Sequence, residues 1–200
     1  MLENCDTIQL IMVGNNQKKN TTYVFVDASN VWSIVKSARK FIEYKNLKSY
    51  FEKKFNSNRV EVFYYDAYPK EGTREYDLGA KHRFFTYLKK GLGFVVRKKE
   101  LKRISVVDKD GELIVEKGNM DVEITIDAMH NKNKYDIAIL FTGDCDFLPL
   151  VNYLKNSSKK VYIFSSKDSI SHELKTGGNG YFDIRDIVEL WGKDLRHREK

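Results

Sequence analysis

One segment carries the clearest structural pattern in the sequence: Tyr135-Asp-Ile-Ala-Ile-Leu-Phe-Thr-Gly-Asp-Cys-Asp-Phe-Leu-Pro-Leu-Val151. Its residues 137–141 form a continuous apolar run of strand length, typical of a central parallel strand that is buried on both faces. A Thr-Gly pair ends the run. Residues 147–154 then have the pattern of an amphipathic helix, with Pro149 in the first turn, where its missing N–H costs nothing. The segment therefore predicts a buried strand that leads directly into a helix.

Two carboxylates, Asp144 and Asp146, lie between this strand and this helix. In open α/β sheets, ligands bind at the carboxyl ends of the strands, so the position favours a binding or catalytic site. A purely structural interpretation is also open. Asp146 would then be the N-cap of the helix and Asp144 a turn residue, because Asp is a frequent N-cap and both Gly and Asp favour turns.

A second segment, Tyr23-Val-Phe-Val-Asp-Ala-Ser-Asn30, repeats this design. Its apolar strand ends in Asp27, and Asn30 follows just before a helical pattern. A third acidic position, Asp121, begins a further segment after a Lys-Gly pair. If the strands are neighbours, these carboxylates converge, and they cannot all be ionised cheaply unless a cation lies among them. Oxygen ligands without His or Cys companions suit Mg²⁺ or Mn²⁺.

Strands and helices alternate along the chain, which predicts an α/β fold with a mostly parallel central sheet and helices on both faces. The remaining predicted strands are 60–65, 94–96, 159–164 and 181–184, and the remaining predicted helices are 31–42, 47–55, 78–92, 121–129, 169–175 and 184–190. Within these elements, Asp127 is either an acid that contacts the site residues without binding the ligand itself, or a surface charge on a helix. Asp136 is predicted to cap the start of a strand.

Residues 97–103, Arg-Lys-Lys-Glu-Leu-Lys-Arg, form the densest basic stretch of the chain. They lead into segments 104–107 and 112–115, which are joined by a turn with an Asp-Gly pair, and this pattern predicts a β-hairpin. A basic hairpin near the catalytic edge could clamp a phosphate backbone. Alternatively, its lysines only keep an exposed strand edge from pairing with other chains. Both interpretations stay open at this stage.

The composition is that of a soluble globular protein, with 200 residues, 42% hydrophobic and 32% charged residues, and a formal net charge of +7. A net positive charge around an acidic site favours a polyanionic partner, although basic side chains spread over a solvated surface would give the same net charge. Cys5 and Cys145 lack the spacing of paired metal ligands. A disulfide between them would tie the candidate site loop to the N-terminus, so we expect reduced thiols and a cytoplasmic location. The four histidines are scattered, which argues against a zinc site.

Residues 1–20 are predicted to be an N-terminal extension. Their apolar run, residues 8–13, would form an extra strand, a partner-binding segment or a frayed terminus. The beginning of the chain lacks the basic region of a signal peptide, and no stretch approaches the length of a membrane span. The sequence therefore predicts no association with a membrane.

Together these segments resemble the NYN domain, the LabA-like branch of the PIN-like nucleases. The resemblance rests on residues 25–30, Tyr64-Tyr65, Lys117-Gly118 with Asp121, Tyr135-Asp136, residues 142–151, residues 161–164, Ser171 with Leu174, and residues 181–184. It assigns residues 21–192 to a NYN domain and residues 193–200 to a basic C-terminal tail. The chain departs from the family where Asn119 and Met120 precede Asp121. It also departs at Gly178-Asn179, where the family commonly has an Ala-Asp pair.

The resemblance implies a PIN-like, Rossmannoid fold with the basic hairpin as an insertion. It further implies a metal-dependent ribonuclease that hydrolyses single-stranded RNA and leaves a 3′-hydroxyl group. The acidic positions would hold one or two Mg²⁺ or Mn²⁺ ions, and Asn30 would orient a ligand or a bound water. The implied catalytic and metal-binding set is Asp27, Asp121, Asp144 and Asp146, with Asn30 as a further catalytic residue. The implied RNA contacts are Lys117 and Ser171, and the basic hairpin adds Lys98, Lys99 and Arg103 as predicted contacts.

Two other functions stay open for this sequence. One is an RNA-binding or adaptor domain of the same fold with little activity. The other is a phosphatase of the haloacid dehalogenase type, which also places an Asp-x-Asp motif after a buried strand but normally near the start of its domain. The oligomeric state is open as well, with a homodimer as one candidate.

Overall fold

The computed structural model describes residues 19–73, 77–108 and 111–195. Ten strands are defined in them: β1 (Asn20–Asp27), β2 (Lys40–Ile42), β3 (Ser57–Tyr68), β4 (Val95–Glu100), β5 (Lys102–Asp108), β6 (Gly111–Lys117), β7 (Ile137–Phe141), β8 (Lys160–Ser165), β9 (Gly180–Asp183) and β10 (Trp191–Asp194). The helices are α1 (Ala28–Ala38), α2 (Leu47–Lys54), α3 (Gly79–Thr86), α4 (Asp121–His130), α5 (Leu148–Asn156) and α6 (His172–Gly177). A π-helical turn, Tyr87–Gly91, extends α3.

The central sheet has six strands in the order β4-β3-β1-β7-β8-β9, and every neighbouring pair is parallel. The two sheet faces are covered by different helices. Val24 and Val26 of β1 belong to a core formed with α1, α2 and α3. Tyr23 and Phe25 of the same strand belong to a second core formed with α4, α5 and α6. The predicted α/β fold with a parallel sheet and helices on both faces is thus confirmed.

Strand β1 is where the chain changes direction across the sheet. It pairs with β3 on one side and with β7 on the other. The chain first builds outward through β3 and β4, then returns and builds the other half through β7, β8 and β9. Val26 lies level with Phe141, so Asp27 and the loop after β7 emerge side by side. In doubly wound sheets, such a switch point is where ligands bind.

The predicted elements next to the switch point are confirmed closely. Strand β7 has the bounds expected from the apolar run, and Pro149 lies in the first turn of α5. The basic hairpin also forms: β5 and β6 pair with each other, apart from the central sheet. Residues 109 and 110 of its turn lie outside the described residues.

Two predicted helices are wrong in extent or type. The helix expected over 31–42 ends at Ala38, because Arg39 adopts a left-handed backbone (φ 54°) and Lys40–Ile42 then pairs as β2 with β10. The helix expected over 184–190 consists of two 3₁₀ turns, followed by β10. Trp191 holds this segment in place, since its indole Nε1 donates to the Ile184 carbonyl at 3.0 Å.

Several predictions concern parts of the chain that are not described. The predicted strand or partner segment at 8–13 lies outside the described residues, as do residues 196–200 of the predicted basic tail. None of the helices within 19–73, 77–108 and 111–195 combines the length and the apolar character that crossing a membrane requires.

Candidate active site

Asp27 is a buried carboxylate at the point where β1 becomes α1. It is the N-cap of α1: its Oδ1 accepts hydrogen bonds from the Ser29 N–H at 3.0 Å and from Ser29 Oγ at 2.7 Å. Its Oδ2 accepts a 2.7 Å hydrogen bond from Asn30 Nδ2. These donors fix the carboxylate in one orientation at the carboxyl edge of the sheet.

Asn30 connects the two halves of the site. While Nδ2 donates to Asp27, the Oδ1 atom of the same side chain accepts from the Gly143 N–H at 3.1 Å. The side chain therefore ties the start of α1 to the loop after β7. The implied role of Asn30 in orienting a ligand or a water stays a prediction, whereas its role in positioning Asp27 follows from these two bonds.

The loop after β7 is packed too tightly for a side chain at Gly143. A Cβ there would lie 2.2 Å from the Ser169 carbonyl oxygen and 2.8 Å from Ser165 Oγ. The Gly143 carbonyl also accepts a 3.0 Å hydrogen bond from the Ser171 N–H. Glycine is thus required here by a close backbone approach, and the approach presents the next residues at the sheet edge.

Asp144 follows Gly143 and caps a 3₁₀ turn, Cys145–Phe147, that leads into α5. Its Oδ1 accepts from the Asp146 N–H at 3.0 Å. The structural alternative made Asp146 the N-cap of the following helix, and this is wrong: the N-cap of α5 is Phe147, and Asp144 caps the 3₁₀ turn before it. Asp146 is exposed, so its carboxylate is open to solvent at the mouth of the site.

Asp121 is the first residue of α4 and is half-buried. The pKa of its carboxyl is raised to about 6, chiefly by burial and then by the negative charges of Asp27, Asp144 and Asp146, while Lys99 opposes the rise. Asn119 donates a hydrogen bond to its Oδ2. The four acidic positions singled out in the sequence therefore share one electrostatic environment.

The donor chemistry of this cluster fits a divalent cation. Asp144, Cys145 and Asp146 offer ligand atoms that lie within 4.8 Å of one another. The carboxylates supply hard oxygen ligands, which suit Mg²⁺ and Mn²⁺, and the thiol of Cys145 is exposed beside them. Repulsion among the carboxylates is the kind of strain that a bound cation relieves.

Two of the three lysines of the basic stretch, Lys98 and Lys99, have different surroundings. Lys99 Nζ pairs with Glu123 Oε1 at 2.7 Å and lies close enough to Asp121 to lower its pKa. Lys98 instead places its Nζ 5.2 Å from the centre of the Phe85 ring, on the other core. Lys99 thus borders the acidic cluster, whereas Lys98 packs against aromatic rings.

Asp127 is held away from the acidic cluster. Its Oδ2 accepts from Arg97 Nε at 3.0 Å and from the Tyr65 hydroxyl at 2.9 Å. Of the two interpretations left open, neither describes it fully: it is a partly buried acid with its own arginine and tyrosine partners. Its charge is therefore balanced locally, without a metal.

The remaining implied RNA contacts lie around the site. Lys117 and Arg103 are exposed on the hairpin, where Lys117 pairs in register with Lys102. Ser171 is the N-cap of α6, and its Oγ accepts from the Leu174 N–H at 3.2 Å. Ser171 is next to the Gly143 loop, as implied, but its hydroxyl oxygen already has a structural partner.

Two further acids at this edge of the sheet are not among the predicted site residues. Asp66 is buried and pairs with Lys81 at 3.1 Å. Burial raises its pKa, Lys81 opposes that effect, and Asp27 adds to it. Its position directly after the predicted strand 60–65 could have marked it as a candidate site residue.

Asp183 is the second of these acids and has a pKa of about 2. Burial opposes ionisation, but hydrogen bonds from Arg185 and from backbone N–H groups outweigh it.

Two positions of the sequence lie at the opposite, amino edge of the sheet. Asn179, where the chain departs from the family, accepts from the Val161 N–H at 2.8 Å. Asp136, just before β7, accepts from the Thr21 N–H of the neighbouring strand β1 at 2.9 Å, and its predicted role as a cap of its own strand stays a prediction. The departure at residue 179 therefore leaves the acidic cluster untouched.

Comparison with known proteins assigns the chain to a family. The family model of the NYN domain matches residues 21–185. The chain belongs to the NYN domain family. This is a family of PIN-like nucleases, and the match includes all four carboxylates of the cluster.

Two relatives resemble this NYN domain along most of their length. The low amplitude and bright protein LabA of Synechococcus elongatus is 27% identical over 173 residues, which cover 86% of this chain and 88% of LabA. A crystal structure of a protein of unknown function from Vibrio parahaemolyticus superposes with a TM-score of 0.63 at 25% identity, covering 88% of this chain and 98% of that one. Both comparisons agree with the predicted LabA-like resemblance.

Proposed function

We propose that this NYN domain is a metal-dependent ribonuclease that hydrolyses phosphodiester bonds in single-stranded RNA. The observation that carries the proposal is the junction at the switch point. There Asn30 joins Asp27 to the Gly143 loop, and the loop presents Asp144 and Asp146 with ligand atoms within 4.8 Å of each other and of Cys145. Membership in a nuclease family supports the same conclusion.

Each residue of the cluster has a distinct part in the proposed mechanism. Asp27, Asp121, Asp144 and Asp146 would hold one or two Mg²⁺ or Mn²⁺ ions. Bound metal would make a water more acidic and neutralise charge on the leaving 3′-oxygen. Asn30 keeps Asp27 in place, and Lys99 places a positive charge beside Asp121.

The basic surface supplies the attraction for RNA. The net charge of +7 and the exposed basic side chains of the hairpin favour a polyanion near the acidic cluster. Family membership leaves the phosphatase hypothesis without support. An RNA-binding domain with little activity is the remaining alternative, and the cytoplasmic location and the homodimer remain predictions. The proposed extent of the nuclease domain is residues 21–192.

A cleavage assay tests the proposal directly. End-labelled single-stranded RNA is incubated with the wild-type protein in Mn²⁺, in Mg²⁺ or in EDTA, beside Asp144→Asn. We expect cleavage with metal, none in EDTA, and a loss of at least tenfold in the variant. Asp186→Asn, the same change at an exposed carboxylate outside the cluster, is the matched control.

Two results would count against the proposal. Undiminished cleavage in EDTA would exclude the metal mechanism. RNA binding without cleavage by well-folded protein in either metal would instead favour the RNA-binding alternative.

A further inference from the structure

A groove of about 990 Å³ lies on the face of the sheet that carries α1 and α3. It begins beside the acidic cluster, because Ala28 and Ser29, the two residues after Asp27, line it. Asp66 and its partner Lys81 line it as well. The groove then extends toward β2 and β10, away from the switch point. The groove therefore starts next to the proposed active site and continues beyond it.

Exposed aromatic side chains are concentrated in this groove. Within the described part of the chain, the exposed large aromatic residues are Trp32, Phe41 and Tyr87, which are 46%, 44% and 45% exposed. All three line the groove. Exposed aromatic surface gathered in one place is unusual on a protein surface and marks a site of interaction. Each of these rings offers a face on which a flat ligand can stack.

The charge of the groove favours an anionic ligand. Its two acids are already paired, Glu43 with Lys45 at 3.5 Å and Asp66 with Lys81 at 3.1 Å. Lys36 and Lys193 also line the groove, and neither has an ion-pair partner among the described residues. Aromatic platforms beside unpaired lysines are the combination by which proteins bind single-stranded nucleic acid.

We propose that this groove, which we call the aromatic groove, binds unpaired bases of the RNA strand whose backbone lies at the acidic cluster. The inference rests on the proposed function, since it assigns a path to the substrate of that site. Bases stack on Trp32, Phe41 and Tyr87, and the phosphates between them are within the field of Lys36 and Lys193. Duplex RNA cannot use the groove, because its bases are already stacked and paired.

Binding measurements in EDTA test the aromatic groove separately from cleavage. The probes are a 12-nucleotide oligouridine and an abasic ribose-phosphate oligomer of the same length. Trp32→Ala, Phe41→Ala and Tyr87→Ala should each weaken oligouridine binding by about fivefold or more, since stacking on one aromatic side chain contributes about that factor. Binding of the abasic oligomer should be unchanged by the same substitutions.

Two controls guard against indirect effects. Ile126→Ala removes a still more exposed apolar side chain (59%) from α4, on the opposite face of the sheet, and should leave both affinities unchanged. Trp32→Phe keeps a stacking surface and should retain most of the affinity. Oligouridine should also quench the fluorescence of Trp32, one of the two tryptophans, while the abasic oligomer should not.

The outcomes separate this inference from the proposed function. Unchanged oligouridine affinity in all three alanine variants overturns the inference, and is the result expected if the groove receives a protein segment instead. An equal loss of abasic binding overturns it as well. Loss of oligouridine binding in protein that cleaves no RNA supports the groove and contradicts the nuclease. Cleavage of RNA together with unchanged oligouridine binding in the alanine variants supports the nuclease and contradicts the groove.

Discussion

Replacing Asp121 by Asn should stabilise the metal-free protein at neutral pH. The substitution keeps the shape of the side chain and removes one negative charge from the cluster with Asp27, Asp144 and Asp146. The carboxyl of Asp121 has a pKa of about 6 in the folded protein, against an ordinary value of 3.8. The folded state therefore holds its proton at a pH where the unfolded chain has lost it, which makes ionisation of Asp121 a cost to folding.

The size of this effect follows from the pKa difference and two corrections. A rise of roughly two pH units corresponds to at most about 3 kcal/mol once the group is ionised in both states. Solvent screening at this half-buried side chain reduces the figure to about 1–2 kcal/mol. Asn also gives up a favourable charge at the first turn of α4, worth about 0.5 kcal/mol. The net expectation is a gain of about 1 kcal/mol at pH 7.5.

The pH dependence gives the sign of the effect. Below pH 3.8 the Asp121 carboxyl is neutral in both states and carries no penalty. Between pH 3.8 and about 6 the unfolded chain loses this proton while the folded protein still holds it, so wild-type stability falls relative to Asp121→Asn over that range and stays lower above it. The two proteins should have nearly equal free energies of unfolding at pH 4 and should differ by about 1 kcal/mol at pH 7.5.

Urea denaturation in EDTA at pH 4, 5, 6 and 7.5 measures the difference. Glu173→Gln, which removes an exposed acid from the first turn of α6, is the matched control. It should be neutral or slightly destabilising, with no change between pH 5 and 7.5. Parallel curves for wild type and Asp121→Asn, or a less stable variant at pH 7.5, would refute the argument that the four carboxylates repel one another.

Two further predictions concern the Gly143 loop and the hairpin. Gly143→Ala should lower the free energy of unfolding, measured in urea melts, by about 1–3 kcal/mol, because the new Cβ would meet the Ser169 carbonyl oxygen. Gly192→Ala is the control and should be tolerated, since the nearest neighbour of its Cβ would be 3.4 Å away. Equal losses in the two variants would contradict the close approach at Gly143. Replacing Lys102 and Arg103 together by Ala should flatten the salt dependence of RNA binding by roughly 0.7 for each lost phosphate contact. Lys134→Ala at the amino edge should leave the salt dependence of RNA binding unchanged. The same result in the double variant would show that the hairpin is a solvated edge that does not contact RNA.

The central fold and the acidic cluster were predictable because both follow from local patterns. An apolar run on both faces, as in residues 137–141, indicates a central parallel strand, and parallel strands bring their carboxyl ends to one edge. Asp27 follows such a run directly and Asp144 follows the Thr-Gly pair that ends another, so their convergence needed only that the strands be neighbours. For these positions, local sequence and global topology point the same way.

Other features depend on contacts between distant parts of the chain. Residues 40–42 continue the apolar spacing of α1, but pairing with β10 about 150 residues later makes them a strand. The partners of Asp127, Arg97 and Tyr65, come from two other strands, so the sequence around Asp127 could not reveal them. The aromatic groove is likewise assembled from α1, β2 and the turn after α3, and no single segment contains its pattern.

The bond between Asn30 and Gly143 spans 113 positions of the chain, and Ser171 holds the same glycine from a still later segment. Synthesis delivers these parts in order, from the N-terminus onward. A nascent chain thus displays Asp27 long before the loop that completes its surroundings exists. A polypeptide still under synthesis therefore carries an unassembled acidic cluster, so production of the protein is separated in time from any cleavage that the finished cluster performs.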